Sequence, residues 1–141
     1  IHSMVAGEVS EFSYTPGDLW TVSPLGVHHV PSLFARNERL TTFLNSDKGE
    51  CALVKVGATV VGRIRVRYHD QVSNRFGAVA KQIVLETPFK LERGEEIGMF
   101  ELGSTVICLF PPEQIELHEL QLGQKIFLGQ AIGRFSQNLN A

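Results

Sequence analysis

The sequence predicts an all-β domain, and three observations carry that expectation. Short apolar segments alternate with a period of two, glycine-centred turns recur along the whole length, and no stretch keeps helical spacing for three turns. With 141 residues the chain can bury most of its apolar surface in one core, so residues 1–141 read as a single domain. Leu19, Thr21 and Ser23 alternate with Trp20 and Val22 in the manner of a strand. Leu33 to Leu44 is the best helical candidate, but it contains Asn37 and ends in Thr41-Thr42-Phe43, so it reads as loop and strand. Val60-Val61 is β-branched. Ile64, Val66 and Tyr68 alternate with Arg63, Arg65 and Arg67, which places three arginines on one face of a strand. Val106 to Phe110 is the most hydrophobic run, and Pro111-Pro112 stops it. It is expected to be a buried strand, hydrogen-bonded on both sides.

The turns are Thr15-Pro16-Gly17-Asp18, Asp47-Lys48-Gly49-Glu50, Val56-Gly57-Ala58, Glu92-Arg93-Gly94-Glu95, Leu122-Gly123-Gln124 and Leu128-Gly129-Gln130. One pattern repeats among them. Gly17-Asp18, Gly94-Glu95 and Gly123-Gln124 each place an acidic or amide residue after glycine, then any residue, then an apolar one. A glycine followed by a polar residue makes a tight turn that feeds a strand. This arrangement is similar to barrel-sandwich domains of the lipoyl-carrier and sugar-phosphotransferase type.

Composition narrows the function. Hydrophobic residues make up 43% and charged residues 20%, as in ordinary globular proteins. The 13 Lys and Arg against 15 Asp and Glu argue against a dedicated nucleic-acid binder. No apolar run approaches the roughly 18 residues of a membrane span. Cys51 and Cys108 both sit in apolar runs and are expected to be buried thiols. The chain opens on Ile1 rather than Met and is expected to be a piece of something longer.

The chemistry is expected in Phe100-Glu101-Leu102-Gly103-Ser104-Thr105-Val106-Ile107. A hydroxyl at the mouth of a buried strand lies in a water-poor place, beside a glycine that tolerates strained backbone angles. Those conditions suit an internal acyl shift. The Ser104 oxygen attacks the Gly103 carbonyl to give an ester, elimination cuts the chain, and Ser104 is left as a pyruvoyl group. Such a built-in ketone is an electrophile that the standard side chains lack.

Leu102-Gly103-Ser104-Thr105 resembles the processing motif of the phosphatidylserine decarboxylases, a pyruvoyl-dependent family. Four further blocks resemble family segments in family order. They are Pro16-Gly17-Asp18-Leu19-Trp20-Thr21-Val22, Val30-Pro31-Ser32-Leu33-Phe34-Ala35-Arg36-Asn37-Glu38-Arg39, Val56-Gly57-Ala58-Thr59-Val60-Val61-Gly62 and Gly94-Glu95-Glu96-Ile97-Gly98. The resemblance implies a covalent pyruvoyl cofactor derived from Ser104, which condenses with the amine of phosphatidylserine as a Schiff base. Loss of carbon dioxide, protonation and hydrolysis then release phosphatidylethanolamine. It also implies a precursor cut into a β-chain, residues 1–103, and an α-chain, residues 104–141. Phosphatidylserine, an anionic membrane surface and a second copy in a homodimer are the implied partners, at the cytoplasmic face of the membrane. The competing expectation is a non-catalytic, or unprocessed, barrel-sandwich module that keeps the family fold.

By the same resemblance, Ile1-His2-Ser3-Met4-Val5-Ala6-Gly7 matches the segment that carries the family's general base, which makes His2 the candidate. An imidazole exchanges protons near neutral pH, as the Ser104 hydroxyl requires. Met4 stands where the family usually has Pro. The family's orienting Asp and a second His used in decarboxylation are expected upstream of Ile1, and Asp18, Asp47 and Asp70 read as turn residues instead.

The remaining candidates are weaker. His28-His29 lacks a convincing third ligand, so no metal is expected. His69 and His118 lie in polar surroundings and are expected to be solvated. Arg36 and Arg39 flank Asn37-Glu38, and pairing with Glu38 or a neighbouring strand is the expected use rather than phosphate binding. Arg63, Arg65 and Arg67 are candidate contacts to anionic lipid head groups, against a bland reading as a solvated face.

Overall fold

The computed structural model describes residues 1–59, 63–101 and 105–136. Its elements run β1 (Gly7–Thr15), α1 (Pro24–His29), α2 (Leu33–Arg36), β2 (Arg39–Ser46), β3 (Gly49–Val56), β4 (Ile64–Val66), β5 (Lys81–Leu91), β6 (Gly98–Phe100), β7 (Thr105–Leu109), β8 (Ile115–Leu117) and β9 (Gly133–Phe135). An antiparallel five-stranded sheet has the order β5-β1-β2-β3-β7, and β4-β6 and β8-β9 form two-stranded ribbons. The all-β expectation holds. The sheets stay open rather than closing into a barrel, since β5 and β7 each end the large sheet with one neighbour, and no closed barrel forms among the described residues.

Strand β1 shows how the core is registered. Val9, Phe12 and Tyr14 all point inward, although strict alternation would send Val9 to the face opposite Phe12. The pairing with β2 slips at Ser10, where one extra residue forms a bulge and returns the later side chains to the core. Along β2, Leu40, Thr42 and Leu44 face in while Thr41 and Phe43 are half-buried. Two apolar clusters result. Val5, Val9, Leu44, Cys51, Leu53, Leu91 and Ile97 form one, and Phe12, Leu40, Ile64 and Val66 form the other. Tyr68 and Leu85 pack against both. Pro88 is tolerated in β5 because that strand lies on the sheet edge, where a missing N–H breaks no central ladder.

Several sequence expectations are corrected here. Leu19 to Ser23 forms no strand: the Asn37 side-chain amide takes the Trp20 N–H at 3.0 Å and the Trp20 carbonyl at 2.8 Å, and Pro24 then starts a helix. His28 and His29 therefore end α1. Leu33 to Arg36 makes one helical turn before β2. Strand β7 is not buried on both sides. It pairs with β3 alone, leaving Val106 at 38% and Leu109 at 51% exposure, and Cys108 is exposed as well. Val60-Val61 lies outside the described residues.

The repeated turn pattern has a structural counterpart in a different set of turns. At Gly94, Gly123 and Gly129, φ is +82°, +79° and +83°, the left-handed value that the third position of a type II turn requires. Glu95, Gln124 and Gln130 follow them, and each donates its N–H to the carbonyl three residues back, at 3.1, 3.0 and 3.0 Å. The side-chain oxygen of the same residue accepts the N–H of that residue in return, at 2.9, 3.0 and 3.0 Å. Gly17-Asp18 departs from the pattern, since the Asp18 N–H goes to the Arg36 carbonyl instead.

Candidate functional site

Leu102, Gly103 and Ser104, including the expected cleavage step, lie outside the described residues. Their flanks are well anchored. Thr105 pairs with Val56 at the end of the β3–β7 ladder, and the Glu101 N–H donates to the Arg63 carbonyl at 2.9 Å. Val56, Gly57 and Ala58 are all buried, so the backbone beside the start of β7 is shielded from water.

Asn37 and Glu38 tie that corner together. Asn37 Nδ2 reaches the Gly57 carbonyl at 2.9 Å as well as the Trp20 carbonyl, while the Gly57 N–H donates to the Glu38 carbonyl at 2.7 Å. Glu38 Oε1 accepts from the Tyr14 hydroxyl and from the Asn74 N–H at 2.7 Å. Burial, then the Glu38 carboxyl, pushes the Tyr14 phenol well above its ordinary range, so it stays a donor. The expected pairing of the arginines with Glu38 is corrected. Arg36 pairs with Asp18 at 2.8 Å, and Arg39 donates to the Ala35 and Asn37 carbonyls at 2.6 and 3.2 Å. Glu38 is the more deeply buried, and a phenol and an amide satisfy it within the core.

His2 is half-buried and paired, not frayed. It bridges to Glu96, with the Ser3 N–H on the Glu95 carbonyl at 2.8 Å and the Ile97 N–H on the Ile1 carbonyl at 2.9 Å. The run that holds it, Glu95 to Gly98, continues through β6 into residues 101–104. Among the described residues its ring has no hydrogen-bond partner, so no carboxylate orients it there.

The arginine stripe has the expected alternation, with Ile64 and Val66 buried and Arg63, Arg65 and Arg67 exposed. Two of its charges are matched, Arg65 by Glu101 at 2.8 Å and Arg67 by Glu95 at 3.2 Å. Cys51 is buried, and burial pushes its thiol up to about 11. No trio of metal-ligating side chains occurs among the described residues.

Sequence reasoning missed Lys55. It is 0% exposed, and its amine donates to Thr42 Oγ1 and to the Leu53 carbonyl at 3.2 Å. Thr42 Oγ1 also meets the Tyr68 hydroxyl. Burial lowers the amine to about 7. The only signal was a lysine inside the apolar run Ala52-Leu53-Val54-Lys55-Val56.

A family model described as phosphatidylserine decarboxylase matches residues 1–134. The chain is 44% identical over 136 residues to a phosphatidylserine decarboxylase proenzyme of Anaeromyxobacter sp. (strain K), covering 94% of this chain and 48% of that protein. Proenzymes of the same name from Myxococcus xanthus and Brevibacillus brevis are each 42% identical, over 134 and 135 residues, again covering 94% of this chain and 48% of theirs. The chain thus spans about half the length of these relatives. The ordered motifs and the match over residues 1–134 agree: this chain belongs to the phosphatidylserine decarboxylase family.

Proposed function

We propose that this domain is the self-cleaving portion of a pyruvoyl-dependent enzyme that converts phosphatidylserine to phosphatidylethanolamine. The observation that carries the proposal is the anchoring of the two described flanks of the Leu102-Gly103-Ser104-Thr105 motif. One flank pairs with fully buried Val56 and the other bonds to Arg63, in a chain whose relatives are named proenzymes. A backbone held on both sides reaches reactive geometry with little further loss of entropy.

The covalent step balances as follows. A base takes the Ser104 hydroxyl proton, the oxygen adds to the Gly103 carbonyl carbon, and the Gly103–Ser104 C–N bond breaks as the nitrogen is protonated. Loss of the Ser104 α-proton expels the Gly103 carboxylate, leaving a dehydroalanine. Water hydrolyses that residue to the pyruvoyl group and releases ammonia. Once formed from Ser104, the pyruvoyl carbonyl would supply the electron acceptor that decarboxylation needs. His2 is the proposed base for the first proton, since its segment pairs with the run that leads into Ser104. Once cleaved, the β-chain (residues 1–103) and the α-chain (residues 104–141) stay one unit, working as a peripheral protein at the cytoplasmic face of a membrane.

Intact mass is the test. Two pieces, one ending at Gly103 and one beginning at Ser104, are expected from the full-length protein, with the second lacking the Ser104 amine. Ser104→Ala is expected to give one uncut species with an unchanged urea midpoint. A wild type that stays whole and inactive supports the non-catalytic module instead.

A further inference from the structure

We propose that the cap formed by residues 19–36, including α1 and α2, is the surface that docks on an anionic phospholipid bilayer. The inference rests on the phospholipid reading above and adds the surface that meets the lipid. Trp20, Leu25 and Val27 are 45%, 68% and 44% exposed there. Beside them lies an apolar groove of about 360 Å³, lined by Val27, Val30, Ser32, Leu33, Phe34 and Ala35. An indole, branched aliphatics and an apolar groove suit the interfacial layer of a bilayer.

Charge selects that occupant. The chain carries 15 Asp and Glu, yet none falls between Asp18 and Glu38. The charged or titratable residues in that span are His28, His29 and Arg36. The Arg36 guanidinium lies 5.9 Å from the Trp20 ring centre, and Asp18 binds both the indole N–H, at 3.0 Å, and Arg36. With Asp18 neutralised by Arg36 and no other carboxylate in the span, this face of an acidic chain is the one that an anionic bilayer does not repel.

Position supports it as well. The Asn37 N–H closes α2 on the Leu33 carbonyl at 2.9 Å, and its side chain holds Gly57, next to the Val56 that pairs with Thr105. The cap therefore sits at the end of the sheet where β7 begins, beside the proposed chemistry. The cap is also close-packed within itself, because a Cβ at Gly26 would strike the Thr21 carbonyl. A further exposed apolar group, around Leu117, Leu122, Phe127 and Leu128, belongs to the β8–β9 region instead.

Trp20 is the only tryptophan in the chain, so its emission reports on the cap directly. On vesicles of phosphatidylserine and phosphatidylcholine it is expected to shift to the blue and to be quenched by brominated lipid. The double variant Leu25→Ser/Val27→Ser should bind such vesicles at least roughly tenfold more weakly at an unchanged urea midpoint. Leu117→Ser/Leu122→Ser, and separately Arg63→Ser/Arg65→Ser/Arg67→Ser, should bind like wild type. Vesicle binding without Trp20 quenching, or binding lost only in one of these control variants, overturns the proposal. So does failure to bind, or a lipid-free emission shift that tracks protein concentration and marks a second copy as the occupant. Cleavage at Ser104 is read separately by mass, so either proposal can fail while the other stands.

Discussion

Lys55 donates its amine to the Thr42 hydroxyl in the interior of the large sheet, with both residues 0% exposed. Thr42 shares its oxygen with Tyr68, whose ring packs edge-on to Phe12 at 5.3 Å and near Phe89 at 6.2 Å. This polar seam lies where the two apolar clusters meet, since Tyr68 touches both. Burial of an ammonium is costly unless it is paired, and among the described residues no carboxylate pairs with Lys55. The amine therefore gives up its proton near neutrality.

Stability is accordingly expected to depend on pH through Lys55. An unfolded lysine keeps its proton up to about 10.5, whereas the buried one releases it near 7. Between those values the unfolded chain binds more protons, so stability rises with pH. The penalty is absent above about 10.5, grows as pH falls, and levels off below about 7. Lys55→Met should remove this slope and raise the urea midpoint at pH 7. Parallel wild-type and variant midpoints across the window would show that Lys55 does not titrate there.

Asn37→Ala should both destabilise the domain and slow cleavage. It deletes three hydrogen bonds from a fully buried side chain, two to the Trp20 backbone and one to Gly57. A loss of about 2–4 kcal/mol is expected from denaturant titration. Cleavage should slow even in conditions where the variant is fully folded, because Gly57 adjoins the strand end that pairs with Thr105.

The segment after a cut at Ser104 should stay bound. Strand β7 keeps its ladder to β3, Gln114 Nε2 reaches the Lys48 carbonyl at 2.6 Å, and Phe110 and Phe135 pack against the Val5–Leu53 cluster. Size exclusion of the cleaved protein should give one peak without denaturant and two in urea. Two native peaks would show that the edge ladder does not hold the piece.

His2→Ala should fold normally and cleave slowly. The pairing of residues 1–3 with 94–98 uses backbone groups, which alanine retains. Cleavage of the full-length variant at the wild-type rate, followed by mass, would remove His2 from the mechanism.

Separate substitutions of Arg65 and Arg67 by Ser should each shift the denaturation midpoint little. Their ion pairs with Glu101 and Glu95 are half-exposed, and such pairs contribute about 0–1 kcal/mol. A loss well above that range would mark the stripe as structural rather than a solvated face.

Some features were legible because they are local. The Ser46–Gly49 hairpin turn and the inward Ile64 and Val66 opposite outward arginines follow from turn chemistry and a two-residue period, and the buried Cys51 from its apolar neighbours. The Gly103-Ser104 step is legible as a motif, though its own geometry lies outside the described residues. Other features were not legible because the competing interaction comes from far along the chain. Leu19 to Ser23 has strand alternation, but Asn37 captures the Trp20 backbone. Cys108 has a buried residue's neighbours, but β7 falls at an edge.

The sequence by itself determined that the chain is all-β and where several of its turns fall, because side-chain period and glycine chemistry act over a few residues; its family is carried separately, by the resemblance of ordered motifs. Only the tertiary structure decided which strands are central, which faces they bury, and that Lys55 loses contact with water. Those outcomes depend on strand order and on one bulge at Ser10, where a single extra residue exchanges the two faces of β1.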